Sequence, residues 1–287
     1  MSVDKLQDRI RKLKNPSVID FTLTKDQIPP HVLESEGGFI KAYGKVCLDL
    51  LEGLRAVVPA VRFRFSYFAL LGTDGLNLLT YLLNRAVEFG YYVLLDTVEA
   101  LSPDTAVVAA DALQDWPCDG ILSSAYIGTD CLKPYVQKLK NSGKSLFVVI
   151  RTANKTASEL QDLMTGSRLA YMALADQVNR VGEPLLGRCG YSQVAGVGAA
   201  SSADSLRALR SKYSRMFLLL DGYDYPNANA KNCSYAFDKL GHGAAACAGC
   251  SVTAAWIDAP EEQDYVQAAV QAAERMKKNL LRYITVL

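Results

Sequence analysis

Eight short apolar runs, separated by segments with helical periodicity, constrain the fold of this chain most strongly. The runs cover residues 17–21, 61–65, 91–95, 120–124, 146–150, 194–198, 216–220 and 243–249. The last run, GAAACAG, is the weakest because small residues dominate it. Strands that alternate with helices in this number are typical of a (β/α)8 TIM barrel, and a doubly wound open sheet is the alternative.

Both ends of the chain are expected to be helical. A charged amphipathic segment covers about residues 3–14, and QDYVQAAVQAAERMKKNLLRYI closes the sequence. Neither a linker nor an internal repeat interrupts the 287 residues, and barrels of this length commonly form one domain. We therefore predict a single domain over residues 1–287.

Charge and hydropathy argue against nucleic-acid and membrane partners. The net charge is +1 and no basic block stands out, so the chain lacks the electrostatic pattern of a nucleic-acid-binding protein. No apolar stretch reaches the roughly 20 residues that span a bilayer, and the charged N-terminal segment does not look like a signal peptide. We predict a cytoplasmic location.

Cysteine and histidine usage indicates neither a metal centre nor a bound cofactor. The chain has seven cysteines and two histidines, and Cys247 and Cys250 form its one C-x-x-C pair. Two ligands do not complete a zinc site, although Cys189, Cys233 and His242 could converge on the pair in space. We expect most of these cysteines to be apolar fillers.

Several motifs resemble a known family. The quoted stretches are VPAVRFRFSYFALLGTDG, SSAYIGTDCLKPYV, VVIRTANKTASELQDL, GYSQVAGVGAASSADSLRALR and LLLDGYDYPNANAKN. In the same order they are similar to AFFE-x-x-G, NPY-x-G-x-DSL-x-PF, V-x-RTSNP-x-A-x-ELQDL, VVGAT-P-x-EL and L-x-PGYGAQGG of the longer bacterial orotidine 5'-phosphate decarboxylases. The resemblance covers about residues 45 to 256 and implies a TIM barrel.

The resemblance fails at the family's catalytic positions. Members use a Lys-Asp-Lys-Asp network, with one lysine on the second strand and a D-x-K-x-x-D motif after the third. Here the lysine position is Arg62, Asp96 matches the first aspartate, and Val98 and Leu101 replace the second lysine and aspartate. Arginine is a poor proton donor because its pKa is about 12 or higher. The resemblance therefore implies that the general acid is missing.

The first-strand aspartate of the family aligns ambiguously. Asp20 lies near its position, whereas the spacing to Pro29 favours Thr22. Arg64 is also unusual, because inward positions of a barrel strand are mostly apolar and a buried arginine needs a partner. We take Asp96 as the candidate partner of Arg62 or Arg64.

The ligand-contacting positions are altered as well. In the family, glycine-rich backbone after the seventh strand and an arginine after the eighth hold the phosphate. The matching stretch here is GYDYPNA, where Asp224 adds a negative charge and Pro226 removes an N–H donor, and the arginine position falls on Cys250. In RTAN, Ala153 replaces the serine of the family's RTSN. The predicted ligand-binding positions are Thr152, Asn154, Arg64, Gly222, Tyr223 and Cys250.

Three functions remain open from the sequence. The leading one is a degenerate decarboxylase paralogue that acts as a binding or partner subunit and forms a homodimer across the barrel mouth. A true decarboxylase and another pyrimidine-pathway enzyme are the candidate partners. Leu101 would then pack against the neighbouring subunit. The second is an enzyme that uses Asp96, Glu99 and the arginines on a non-phosphorylated ligand. The third is a true decarboxylase whose residues are misaligned.

Overall fold

The strands of a computed structural model, which describes residues 2–97, 102–260 and 264–286, match the predicted runs. They are β1 Ser17–Asp20, β2 Ala60–Arg64, β3 Tyr92–Asp96, β4 Gly120–Ser124, β5 Ser145–Val149, β6 Met164–Thr165, β7 Arg168–Leu169, β8 Val194–Ala199, β9 Leu218–Asp221 and β10 Ala244–Ala248. All eight predicted strands are confirmed, with ends displaced by at most two residues. The short antiparallel hairpin of β6 and β7 was not predicted.

The helices fill the intervals between the strands. They are α1 Ser2–Leu13, α2 Pro30–Ser35, α3 Phe39–Leu54, α4 Phe65–Leu70, α5 Gly72–Glu88, α6 Pro103–Asp115, α7 Lys133–Ser142, α8 Ser158–Gln161, α9 Ala170–Gly182, α10 Ala203–Lys212, α11 Ala230–Ser234, α12 Cys250–Thr253 and α13 Tyr265–Leu281. Single 3-10 turns occupy Lys25–Gln27, Thr129–Cys131 and Ala255–Asp258. Within the described residues no helix is long and apolar enough to cross a bilayer.

Eight of the strands close into a parallel barrel in the order β1-β10-β9-β8-β5-β4-β3-β2. Closure occurs at β1, where Val18 pairs with Cys247 of β10 and Ile19 pairs with Val61 of β2. The fold is therefore a (β/α)8 TIM barrel, and the open-sheet alternative is excluded. The strands read as continuous apolar runs because both of their faces are buried.

Helix α1 seals the N-terminal end of the barrel. The Ser2 hydroxyl donates to the carbonyl of Asp119 at 2.6 Å, and the side-chain oxygen of Gln7 accepts from the Gly243 amide at 3.0 Å. Asp4 accepts from the amides of Arg188 and Cys189. This leaves the carboxyl ends of the strands as the open mouth, where TIM barrels place their active sites.

Candidate site at the barrel mouth

Two arginines of β2 point to the barrel interior. Arg62 and Arg64 are two residues apart and therefore share one face of the strand. Arg62 is only 2% exposed, whereas 39% of the Arg64 side chain is exposed at the mouth. A buried guanidinium is costly unless carboxylates pair with it, so its partners define the chemistry of the site.

Asp20, at the end of β1, binds both arginines. Its Oδ2 accepts hydrogen bonds from the Nε atoms of Arg62 and Arg64, each at 3.0 Å, and from both Nη2 groups. The Thr22 hydroxyl donates to Oδ1 at 2.6 Å. Burial alone would raise the pKa of Asp20, but the two guanidiniums outweigh it and lower this pKa below its usual value. Thr22, the residue that spacing favoured, thus supports Asp20.

Asp221, at the end of β9, is the second carboxylate on Arg62. Its Oδ1 lies 2.9 Å from Nη2 of Arg62, so this guanidinium bridges two strands of the barrel. Burial alone would lower the pKa of Arg62, but the carboxylates, Asp20 above all, raise it well above the ordinary value. Arg62 is therefore a fixed positive charge.

Asp96 lies at the end of β3 and is 8% exposed. Burial raises its pKa, and the charges of Arg62 and Arg64 oppose that rise only in part. Asp20 makes the direct hydrogen bonds to both arginines, whereas Asp96 acts on them through its charge. Val98, Glu99 and Leu101 lie outside the described residues.

Two cavities open at the mouth. The first, named here the arginine cavity, measures about 370 Å³ and contains the predicted positions Arg62, Arg64, Gly222 and Cys250. The second, named the threonine cavity, measures about 550 Å³ and contains Thr152 and Asn154. The predicted positions are therefore divided between two spaces. Neither Tyr223 nor Asp96 is among the described residues that line them.

Tyr225 and Pro226 form the wall between the cavities, because both residues line both spaces. The loop that carries them turns at Gly222, which has a φ of +76°. A Cβ at this position would lie 2.4 Å from Cβ of Ala153 and 2.6 Å from Cδ2 of Tyr225. Only glycine fits between the RTAN loop and the tyrosine ring.

The polar groups of the RTAN loop bind one another. The Thr152 hydroxyl donates to Oδ1 of Asn154 at 2.6 Å and accepts from Nε2 of Gln161 at 2.7 Å. The Thr152 amide donates to Oε1 of Gln161 at 2.9 Å. Arg151 is engaged by Asp162. The loop is thus held in a fixed conformation by its own side chains.

Asp224 faces the turn that follows β10. Its Oδ2 accepts from the Gly249 amide at 2.6 Å and lies 3.7 Å from Sγ of Cys250. Its Oδ1 accepts from the Ser251 hydroxyl. One carboxylate of the chain therefore engages three donors of this turn.

No family model matches the chain. It is 26% identical over 292 residues to orotidine 5'-phosphate decarboxylase of Clostridium tetani, covering 99% of both chains, and 28% identical over 211 residues to that of Rhodopirellula baltica, covering 71% of this chain and 70% of the relative. The structure of orotidine 5'-monophosphate decarboxylase from Plasmodium berghei has a TM-score of 0.80 at 15% identity and covers 98% of each chain.

The chain is an orotidine 5'-phosphate decarboxylase-like protein.

Two of the residues predicted from the sequence lie at distinct places in the mouth. Arg62 is buried on β2, and Cys250 lies in the turn that the Asp224 carboxylate contacts.

The two cysteines of the C-x-x-C pair lie in different environments. Cys247 is 2% exposed on the floor of the arginine cavity, whereas Cys250 is exposed at its rim, and both are free thiols. Burial raises the pKa of each thiol. Among the described residues no group of three or more metal-binding side chains is arranged to hold an ion.

Sequence reasoning missed Asp221. It ends the apolar run MFLLLD, just as Asp96 ends YYVLLD, so an acid directly after a buried strand was the available signal. A second signal was the pair of inward arginines, which requires more than one carboxylate.

Proposed function

We propose that this orotidine 5'-phosphate decarboxylase-like barrel does not decarboxylate orotidine 5'-monophosphate and serves pyrimidine biosynthesis as a binding or partner subunit. The observation that carries the proposal is the buried Arg62 guanidinium, held by Asp20 and Asp221. A decarboxylase must deliver a proton to the carbanion that carbon dioxide leaves behind, and general acids work best with a pKa near the working pH.

Arg62 meets this requirement poorly for two reasons. A guanidinium keeps its proton at any pH the protein survives, and the neighbouring carboxylates strengthen that preference. Its hydrogen bonds to Asp20 also use the donors that would have to face a substrate. The sequence provides no lysine at 96–101, DTVEAL, that could replace it.

The electrostatics of the arginine cavity argue in the same direction. Its walls carry the carboxylates of Asp20, Asp221 and Asp224 against the guanidiniums of Arg62 and Arg64. A phosphate monoester would bring further negative charge next to Asp224. Each charge-assisted contact that is lost with the family arginine removes about 1.5 to 3 kcal/mol of binding. We therefore expect weak binding of phosphorylated nucleotides.

The homodimer stays a prediction with one supporting feature. Four apolar residues are exposed on α6 and on the loop after β4: Val107, Val108, Tyr126 and Ile127. Exposed apolar patches commonly mark protein–protein contacts. The pyrimidine-pathway partner rests on the family resemblance, and the cytoplasmic location stays a prediction from charge and hydropathy.

A second candidate is an enzyme of altered specificity on the same barrel. It is favoured by the arginine cavity, which is open and lined by three carboxylates and two guanidiniums. Such a site would suit a non-phosphorylated ligand better than a nucleotide.

The binding of uridine and of uridine 5'-monophosphate, measured by calorimetry on the purified protein, separates these readings. The proposal predicts that the phosphate gives no gain in affinity. A nucleotide that binds at least tenfold more tightly than the nucleoside, about 1.4 kcal/mol, would show a working phosphate site.

A further inference from the structure

A groove at the N-terminal end of the barrel, named here the floor groove, lies on the side of the molecule opposite the mouth. It measures about 850 Å³ and lies between α1 and the turn that precedes β8. Its described lining has four cationic side chains, two acidic side chains and two further residues: Lys5, Arg9, Lys12, Arg188, Asp4, Asp8, Leu186 and Gly187. The floor groove is therefore a mainly cationic surface outside the site at the mouth.

Helix α1 turns its cations to the groove and its apolar side chains to the barrel. Lys5, Arg9 and Lys12 follow the i, i+4, i+7 spacing of one helix face. Leu6 and Ile10, on the other face, are fully buried. With a rise of 1.5 Å per residue, the row of cations is about 10 Å long. A row of this length contacts an extended anion at several points, whereas a single phosphate group is held by donors that converge on it.

The opposite wall of the groove is held firmly against α1. Asp4 accepts hydrogen bonds from the amides of Arg188, at 3.1 Å, and Cys189, at 2.7 Å. The Gly187 amide donates to the Tyr191 carbonyl at 2.8 Å. A Cβ at Gly187 would lie 2.7 Å from Oδ1 of Asp4, so only glycine fits here without a shift of that carboxylate. The groove is therefore formed before any ligand binds.

Two of the four cations already have carboxylate partners. Nζ of Lys5 lies 2.7 Å from Asp119, and a terminal nitrogen of Arg188 lies 2.7 Å from Asp8. Both pairs are at the surface, where ion pairs are weak and screened by salt. Lys5 and Arg188 can therefore add to the binding of an anion, but they do not supply the net charge of the groove.

Arg9 and Lys12 supply that net charge. Nε of Arg9 donates to the Pro59 carbonyl at 2.8 Å, which fixes the half-buried side chain without neutralising it. Burial lowers the pKa of Arg9, although a guanidinium keeps its charge at neutral pH. Within residues 2–97, 102–260 and 264–286, neither Arg9 nor Lys12 forms an ion pair with a carboxylate. A half-buried guanidinium without a carboxylate is costly, and an incoming carboxylate relieves that cost.

We propose that the floor groove docks an extended acidic segment of a partner protein. Every second side chain of an extended segment faces the same way, about 6.6 Å apart, and the step from Lys5 to Arg9 along α1 is about 6 Å. One carboxylate pairs with the fork of Arg9, and its neighbours reach Lys5 and Lys12. The segment binds opposite the mouth and leaves both mouth cavities open. This inference rests on the partner role proposed above and names the surface that the partner uses.

Single-stranded nucleic acid is the other extended anion that a row of cations could bind. Proteins that bind it combine a cationic groove with aromatic side chains on which the bases stack. No aromatic side chain is among the described residues that line the floor groove. An acidic peptide needs only charge and backbone contacts, so it is the better match, and nucleic acid becomes a competing outcome of the test.

The test is the fluorescence anisotropy of a labelled peptide, in which glutamate alternates with serine, titrated with the full-length protein. The ionic strength is kept low, at about 0.05 M, where exposed charges are little screened. Arg9→Gln/Lys12→Gln should raise the dissociation constant about tenfold, because two charge-assisted contacts are lost. Lys12→Gln alone should raise it about threefold. The Lys12 side chain is exposed, so a folding defect does not explain that change.

Two controls separate the groove from the overall charge. Lys41→Gln/Lys278→Gln removes the same net charge from exposed lysines of α3 and α13 and should leave the dissociation constant unchanged. A peptide with glutamine in place of glutamate should not bind, because it offers no carboxylate to the cations.

Three results would overturn the acidic-segment site. The first is no binding of the glutamate peptide to the unmodified protein. The second is an equal loss of affinity in both double variants, which would show a general effect of net charge. The third is a short oligouridylate that binds more tightly and displaces the peptide, which would make the groove a nucleic-acid surface. None of these titrations involves turnover at the mouth, so failure here and failure of the proposed function are distinguishable.

Discussion

Arg62 and Asp20 form a buried ion pair at the centre of the barrel mouth, with side chains that are 2% and 6% exposed. Arg64 binds the same carboxylate oxygen of Asp20 from the side of the mouth, and Asp221 of β9 pairs with Arg62. The four residues tie β1, β2 and β9 together at the carboxyl ends of the strands.

Breaking the pair should destabilise the barrel. Arg62→Met leaves Asp20 with Arg64 alone, and removal of one partner of a buried ion pair costs about 3 to 5 kcal/mol. The free energy of unfolding from urea titration measures this loss. The double variant Arg62→Met/Asp20→Leu should recover part of it, since the buried Asp20 carboxylate is then removed together with its main partner, while Arg64 and Asp221 each lose one contact. A double variant that loses the sum of both single changes would show that the pair is not coupled.

Acid should weaken the ion pair between Asp20 and Arg62. The pKa of Asp20 is lowered in the folded protein, so its stabilising contribution is full above the unfolded pKa and is lost as the pH falls through the folded value. The stability difference between the unmodified protein and Asp20→Asn should therefore shrink as the pH falls below about 4. Denaturation at several pH values measures this difference, and a gap that widens in acid would contradict the assignment.

The contribution of Asp96 to stability should change with pH in the opposite direction. Its pKa is raised by burial, so the ionised form weakens the fold once the pH has risen through the folded value. Asp96→Asn removes this penalty. Relative to the unmodified protein, the variant should gain stability as the pH rises from about 4 to 7. A constant difference across that range would mean that the native side chain does not titrate there.

Self-association should depend on the exposed apolar residues of α6. Val108→Lys adds a charge at a side chain that is 68% exposed, so it should not harm the folded monomer. Light scattering after size exclusion should show a dimer for the unmodified protein and a shift towards monomer for the variant. Val87→Lys, an exposed position on α5, is the matched control and should stay dimeric. A monomeric unmodified protein would refute the predicted homodimer.

The barrel was predictable because each of its strands is an apolar run bounded by polar turns, and the eight runs fixed the number of β/α units. The hairpin of β6 and β7 was not, since Met164 and Arg168 are exposed and two-residue strands leave no periodic pattern.

Site residues were harder to predict than strands. Whether Asp20 or Thr22 faces the arginines depends on where β1 ends in space, and the pairing of Asp20 with Arg62 across β1 and β2 decides it. Asp221 reaches Arg62 only because the closed barrel brings β9 near β2. The linear sequence does not show this proximity. The division of the mouth by Tyr225 likewise depends on a three-dimensional contact with Gly222.

Turnover of orotidine 5'-monophosphate by protein made in a host that lacks its own decarboxylase tests the central claim most directly. The unmodified protein and Arg62→Met should both release carbon dioxide at the rate of the buffer blank, because no group at the second-strand position can donate a proton. Release above the blank that disappears in Asp96→Asn would contradict this account and would identify a working decarboxylase.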